Sequence, residues 1–451
     1  MEATDRPASR GPQVSPESAG VAVDSTVVAP LHPPPRAAGH RLGYIVLASL
    51  PIASYFWLVA RYAVNIPFWD DFDSLLGFLS KSPLDLHHFW EQHNEHRIFW
   101  TRLVAWITHR ALGPVDLRIL IVIGNLGVAG LGMVLAWNWE TRRLPRWYFL
   151  PCLYILFAPQ SWENMTWAMA SLQNFYVVLF AALAIACWQW TTLRWQLAAV
   201  AWASLATFTS GNGILVFVVF FLWQFVRCYE KRAWSRVTLL WITVFAGLLL
   251  WCYFSGYQSP AAHPSIREQL LSPVRLIRFY LVLCGAFLGD LSRPIALLAG
   301  LLQVSCFLLL AGRRYDHRNP FVFYLLMFCL GSMFVASLSR AGFGVPQALA
   351  SRYRILPLLT LALNYVAVSE LWPQRFQQRR VFMTLLIITM VFQISFTVKA
   401  SIRLCLHHDR LVSELATWQE TGRGLSYPDP KIADDQLNKA IERGIYQVPA
   451  R

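Results

Sequence analysis

The chain has 451 residues, 56% of them hydrophobic and 14% charged, and a soluble fold of this length could not hide that much apolar surface, so the class is a polytopic membrane protein. The formal net charge of +14 comes almost wholly from arginine, since only five residues are lysine. Such an excess sits in cytoplasmic loops and against anionic headgroups, which makes nucleic acid a poor reading, and the eight cysteines form neither a CxxC pair nor a Cys/His group at zinc spacing.

Residues 1–40 are rich in Pro, Ala, Ser and Gly (GPQVSPESAG, LHPPPRAAGH) and lack the short apolar core of a secretory signal peptide. They read as a disordered cytoplasmic tail ahead of an uncleaved first span. A transmembrane domain is expected over 41–399. Its apolar windows predict about eleven spanning helices, at 42–60, 116–138, 148–158, 171–190, 196–209, 214–228, 237–255, 294–311, 320–338, 354–372 and 380–398. Crossing ~30 Å at ~1.5 Å per residue takes ~20 residues. Several windows are shorter, and 279–290 reads either as a twelfth span or as a dipping helix, so the expected range is 10–13.

The short loops 140–146, 191–195, 227–236, 312–318 and 374–380 are all basic and alternate with less basic ones, which places them and the N-terminus in the cytoplasm. Segments 61–115, 159–170, 210–213, 256–293 and 339–353 then lie outside, and with them the polar C-terminal tail 400–451. In the long first outer loop, 61–115, HHFWEQHNEHRIFWTRLVAWITHR (87–110) mixes aromatic and charged residues at helical spacing, the pattern of a helix lying in the membrane interface.

The unusual polar residues gather on this outer face. PFWDDFD (67–73) sets Asp70 and Asp71 just past the first span, where a carboxylate partly desolvated by aromatic and lipid neighbours can act as a general base; the bland alternative is a solvated loop beside a Trp belt. Asp73 reads as an N-cap or exposed acid. On a helix, EQHNEHR (91–97) would align Glu91 with Glu95 and His93 with Arg97, and bring His96 beside His93, making polar stripes able to hold a divalent ion or a phosphate, or else a salt-bridge cluster. The order HxEH matches neither HExxH nor HxxEH, which argues against a metalloprotease.

SRAGFGVPQALASRYR (339–354) carries Arg340, Arg352 and Arg354, with Tyr353 between them, on the face expected to be poor in arginine. Forked guanidinium groups that stay charged when partly dehydrated suit a phosphate at the bilayer surface; snorkelling to headgroups is the competing account. Glu163, Asn164 and Gln173 in 159–175, and Asn212 in TSGNG (209–213), are weaker signals that fit sugar binding or broken helix ends equally well.

With an acidic pair after the first span, a long outer loop, and basic residues on later outer loops, the chain resembles the GT-C superfamily of membrane glycosyltransferases. PFWDDFD, EQHNEHRI, WENMTWAMASLQNF, FTSGNGILVF and QALASRYR look like blocks of a bacterial multi-pass group placed near that superfamily, over roughly residues 42–375. The resemblance implies a bacterial inner-membrane enzyme with its site in the periplasm. It would take a sugar from a polyprenyl-phosphate donor to an envelope glycan or lipid acceptor. Asp70 or Asp71 would deprotonate the acceptor hydroxyl, Arg340 and Arg352 (with Arg354) would hold the donor phosphate, and Asp73, His93, Glu95, His96, Arg97, Glu163, Asn164, Gln173, Asn212 and Tyr353 would line the cavity. Some members use Mg²⁺ or Mn²⁺ and others no metal, and many carry a Glu in the acidic pair where this chain has Asp-Asp. A transporter or flippase of lipid-linked glycans and a non-enzymatic scaffold of polysaccharide assembly are the competing classes.

Overall fold

The computed structural model describes residues 38–142, 144–230, 236–259, 264–376 and 378–449. The tail read at 1–40 falls outside them up to residue 37, as does most of the middle of the basic loop 227–236. By backbone contacts the chain divides into Met1–Gly43, whose described part is the start of the first helix, and Tyr44–Arg451, which holds every relationship discussed below.

Helices dominate. α1 (Ala38–Tyr62) leads into a loop with a π-helical turn at Phe72–Gly77, then α2 (Leu86–Trp90), a two-stranded hairpin of β1 (Gln92–His93) and β2 (His96–Arg97), and α3 (Phe99–Leu112). α4 (Leu117–Thr141), α5 (Leu150–Leu156), α6 (Trp162–Thr166), α7 (Ala168–Trp188), α8 (Leu193–Thr207), α9 (Leu215–Tyr229) and α10 (Arg236–Phe254) follow. After them come α11 (Ile266–Leu270), α12 (Pro273–Cys284), α13 (Arg293–Gly312), α14 (Tyr315–Arg318), α15 (Pro320–Arg340), α16 (Ile355–Leu371), α17 (Pro373–Phe376), α18 (Arg379–Thr421) and α19 (Pro430–Glu442). The starts of the long helices are chemically marked: Asp116 accepts from the Arg118 amide, Ser292 from Ile295 and Asn319 from Val322, with Pro294 and Pro320 in the first turns.

Among the described residues, nine helices are long and apolar enough to cross a membrane: α1, α4, α7, α9 with the turn before it, α10, α13, α15, α16 and α18. They coincide with nine of the eleven predicted spans. The other two, 148–158 and 196–209, form α5 of 7 residues and α8 of 15. The window at 279–290 supplies only the end of the 12-residue α12. α5 stops because Pro159 disfavours helical backbone at Ala158, which is extended at ψ 122°. The carbonyls freed by this break meet buried amides from neighbouring helices: Gln393 Nε2 of α18 donates to Phe157 O at 2.9 Å and Asn125 Nδ2 of α4 to Met165 O at 3.0 Å. An apolar surround permits irregular backbone only when such partners are supplied.

Helix contact is closest where side chains are smallest. At Gly124 of α4 a Cβ would fall 2.0 Å from the Ser171 hydroxyl oxygen of α7, so only glycine lets these two helices meet.

The bundle has two distinct ends. At one, Arg142 donates to the Arg318 carbonyl, Glu230 pairs with Arg314 and His317, and Tyr365 donates to Tyr148 O at 2.6 Å, so the basic loops 140–146 and 312–318 meet there. At the other lie the first long loop, the C-terminal end of α10 and the segment between α15 and α16. The 43 residues of α18 extend about 64 Å, twice the hydrocarbon thickness. Its second half and α19 therefore continue past the bundle and fold onto the first loop. There Val115 N donates to Ile445 O at 2.7 Å and Tyr446 to Asn65 O at 2.5 Å.

Candidate functional site

Trp69 is left-handed, with φ of 47°, a rare conformation for a bulky residue, and it turns the chain so that Asp70 and Asp71 point to different surroundings. Asp71 is 1% exposed, and its carboxylate accepts from the Phe68 amide at 3.1 Å and the Met169 amide at 2.8 Å. Burial pushes its pKa up to about 7, against the pull of those two amides and with a small push from Asp70. Asp70 keeps 25% of its side chain exposed, and its Oδ2 lies 3.8 Å from Nε2 of His93.

His93 stands on the hairpin, and here the structure corrects the helical reading of EQHNEHR (91–97), which lies between two helices of the first loop. α2 begins with a reciprocal cap between Asp85 and His88 and ends at Trp90, and the chain then reverses through Asn94, whose φ of 48° is tolerated by an Asn. Gln92 pairs with Arg97 and His93 with His96, so Glu91 and Glu95, like His93 and Arg97, are not a helical turn apart. The hairpin instead places Glu95 at its tip, where it forms an ion pair with Arg340 from the end of α15. His96 accepts from the Gly211 amide through Nδ1 at 3.1 Å, which leaves the proton on Nε2, 3.5 Å from the same Glu95 carboxylate.

Arg340 lies in electrostatic range of Tyr353, Arg352 and Asp70. Between Arg340 and Arg354 the backbone makes three 3₁₀ turns, with Gly344 at φ 89° providing a sharp bend. Arg352 stacks over the Tyr353 ring, 5.4 Å from its centroid, and its backbone is clamped from both sides. Its amide donates to Glu163 Oε2 at 3.3 Å and its carbonyl accepts from Asn164 Nδ2 at 2.9 Å, while Ser351 donates to Glu163 at 2.6 Å. Asp70, His93, Glu95, Arg340, Arg352 and Tyr353 thus converge, with Glu163 and Asn164 acting behind them.

The other predicted site residues have hydrogen bonds that lead elsewhere. Arg354 is buried, donating to Asp290 at 2.7 Å and to Leu349 O at 3.2 Å, and Arg403 of α18 reaches the same Asp290 at 3.1 Å. Burial would raise the Asp290 pKa, but the two guanidinium groups hold it below the usual carboxylate range. Arg97 is 4% exposed and donates to the carbonyls of Trp90, Tyr253 and Ser255, tying the hairpin to α10. Asp73 accepts from the Tyr427 hydroxyl, Gln173 Nε2 donates to Ser210 Oγ at 3.3 Å and Asn212 Nδ2 to Ser332 Oγ at 3.3 Å.

His407 and Arg410 pack on Phe68 of the acidic loop, Tyr427 bonds Asp73, and Asp290 and Arg403 meet at Arg354, none of them singled out in the sequence. His407 sits edge-on to Phe68, with ring centroids 4.7 Å apart, and Arg410 lies over the same ring. The signal was a helical repeat, Arg403, His407 and Arg410, hidden in a segment whose polarity suggested a tail.

Chemically, the group offers a partly exposed carboxylate facing an imidazole, and two guanidinium groups on a clamped turn. Asp70 and His93 offer two donor atoms, which would hold a divalent ion such as Mg²⁺ or Mn²⁺ only with further ligands from outside this pair. Elsewhere among the described residues, Asp85, His87 and His88 lie within metal-binding distance of one another, with Asp85 and His88 already engaged in the α2 cap. No family model matches the chain, and neither does any curated protein or solved structure.

Proposed function

We propose that this chain is a membrane glycosyltransferase of the GT-C type. It moves a sugar from a polyprenyl-phosphate donor to an envelope glycan or lipid acceptor at the outer face of a bacterial inner membrane. The supporting observation is that the first-loop hairpin carries His93 beside Asp70 and pairs Glu95 with Arg340, which brings Asp70 into electrostatic range of an arginine 270 positions later in the chain.

A single displacement at the anomeric carbon needs a base for the incoming hydroxyl and a stabiliser for the departing phosphate, which leaves without protonation. Asp70 is the base, since it is the accessible member of the pair. Asp71, buried on backbone amides, positions the turn, and its raised pKa limits the like charge beside Asp70. Arg340 and Arg352 receive the phosphate. Arg340 has donors enough to serve Glu95 and a phosphate oxygen together, and Glu163 and Asn164 fix the turn that presents Arg352. A divalent ion held by Asp70 and His93 would add charge stabilisation at the phosphate.

Eleven crossings follow if the broken segment 150–166 and α8 both traverse the bilayer: Tyr148 is bonded at the basic end and Met169 touches Asp71 at the other, where Phe208, just after α8, accepts from Trp100 of the first loop. The positive-inside rule then makes the basic end cytoplasmic and the Asp70 end periplasmic. A transporter is less favoured because the buried polar groups along the middle of the bundle, such as Asn125, Gln303 and Gln393, are neutral amides.

The test is turnover. Membranes containing the wild-type chain, incubated with a panel of polyprenyl-phosphate sugars and envelope lipids, should release free polyprenyl phosphate with one donor. Membranes with Asp70→Asn should not. Equal release from both would reject Asp70 as the base.

A further inference from the structure

We propose that a groove beside α12 is a docking site for the anionic phosphate headgroup of a bilayer lipid, distinct from the Asp70 group. A cavity of about 450 Å³ is lined by Ser272, Pro273, Val274, Arg275, Arg278 and Val345. Its two charged groups are both arginines, both exposed, and among the described residues no acidic side chain lines it.

α12 has two faces of opposite character. Leu276, Phe279, Val282 and Leu283 point inward and share a core with Ala341 and Ala348 of the turn between α15 and α16. The opposite face exposes Val274 at 80% and Ile277 at 55%, alternating with Arg275 and Arg278. A helix of 12 residues reaches about 18 Å and cannot cross the hydrocarbon core, so its bare apolar face is not that of a spanning segment. Apolar side chains alternating with arginine suit the headgroup level, where acyl chain and phosphate meet. Two guanidinium groups at i,i+3 on one helix face can grip a single phosphate in the forked geometry that arginine favours. Charge complementarity therefore commits the groove to a lipid of net negative charge. Val345 joins it to the turn that carries Arg340 and Arg352, so an occupied groove would stiffen that turn. Nothing in this binding requires that the chain transfer a sugar.

The full-length chain in detergent can be titrated with phosphatidylglycerol, phosphatidylcholine or inorganic phosphate, with bound lipid counted by native mass spectrometry. Phosphatidylglycerol should bind in preference to phosphatidylcholine by roughly tenfold, and excess inorganic phosphate should leave it in place. Arg275→Ala with Arg278→Ala should abolish the preference, whereas Arg275→Lys with Arg278→Lys, which keeps the charge and reports on folding, should retain part of it. Equal binding of the two lipids, displacement by inorganic phosphate, or an undiminished preference in the double alanine variant would each overturn the proposal.

Discussion

Arg340, at the end of α15, is held in an ion pair with Glu95, 245 residues earlier at the tip of the first-loop hairpin. Both side chains are about one fifth exposed or less. This contact joins the acidic first loop to the arginine-bearing turn, and it leaves the guanidinium in electrostatic range of Asp70 and partly exposed.

Arg340→Ala should weaken donor binding by about tenfold to a hundredfold, measured as retention of a polyprenyl phosphate by the purified chain. Arg340→Lys should recover only part of the loss, because an ammonium cannot serve Glu95 and a phosphate with a planar fork. Full recovery would show that charge alone matters at this position.

The two aspartates should separate cleanly. Asp70→Asn should lower turnover by about 10²–10⁴-fold with donor binding retained, as expected for loss of a general base. Asp71→Asn keeps an acceptor for only one of the Phe68 and Met169 amides, which meet different carboxylate oxygens, so it should lose stability while retaining a substantial part of the activity. Reversal of this order would make Asp71 the base.

Asp71 also predicts a pH dependence of stability. Its folded pKa is raised to about 7, so the folded state holds a proton that the unfolded chain releases near the ordinary carboxylate value of 3.8. Its favourable contribution is complete below that value, is lost as pH rises toward 7, and is level above, with a span of order 4 kcal/mol. Thermal unfolding in detergent from pH 4.5 to 8 should show a fall in the wild type that is flatter in Asp71→Asn. Parallel curves would remove Asp71 as the cause.

Asp290 holds the buried Arg354 and the more exposed Arg403 at a junction between the α15–α16 turn and α18. Asp290→Ala should destabilise the chain by about 3–5 kcal/mol, read as an early unfolding transition, because it strands Arg354. Adding Arg354→Met should restore part of the loss. If the double variant is no better than the single, the stranded charge is not the source of the damage.

Most of the spans were legible because a run of ~20 apolar residues has few alternatives in a membrane chain. The exceptions have local causes. Pro159 breaks the apolar segment that begins at α5, and the hairpin at 92–97 is too short to leave a periodic signature. The arginines at 340–354 stood out against the charge rule, but Arg354 could not be told from Arg352 in the sequence. Its partner Asp290 lies 64 residues away, at the end of the 279–290 window, with no local signal linking the two. The extension of α18 was obscured for a different reason: its inward face, His407, Leu411 and Leu415, is narrow and set among polar residues.

Transfer of a sugar from a lipid phosphate at the Asp70 end of the bundle is the reaction we propose. It is tested most directly by mass-spectrometric profiling of lipid-linked and surface glycans in cells carrying the wild-type chain, Asp70→Asn or Arg352→Ala at matched expression. The account predicts that both variants lose one sugar mass from a single glycan, with build-up of the corresponding polyprenyl-phosphate sugar. Unchanged glycans in both variants, or accumulation of a complete lipid-linked glycan with every sugar in place, would contradict it.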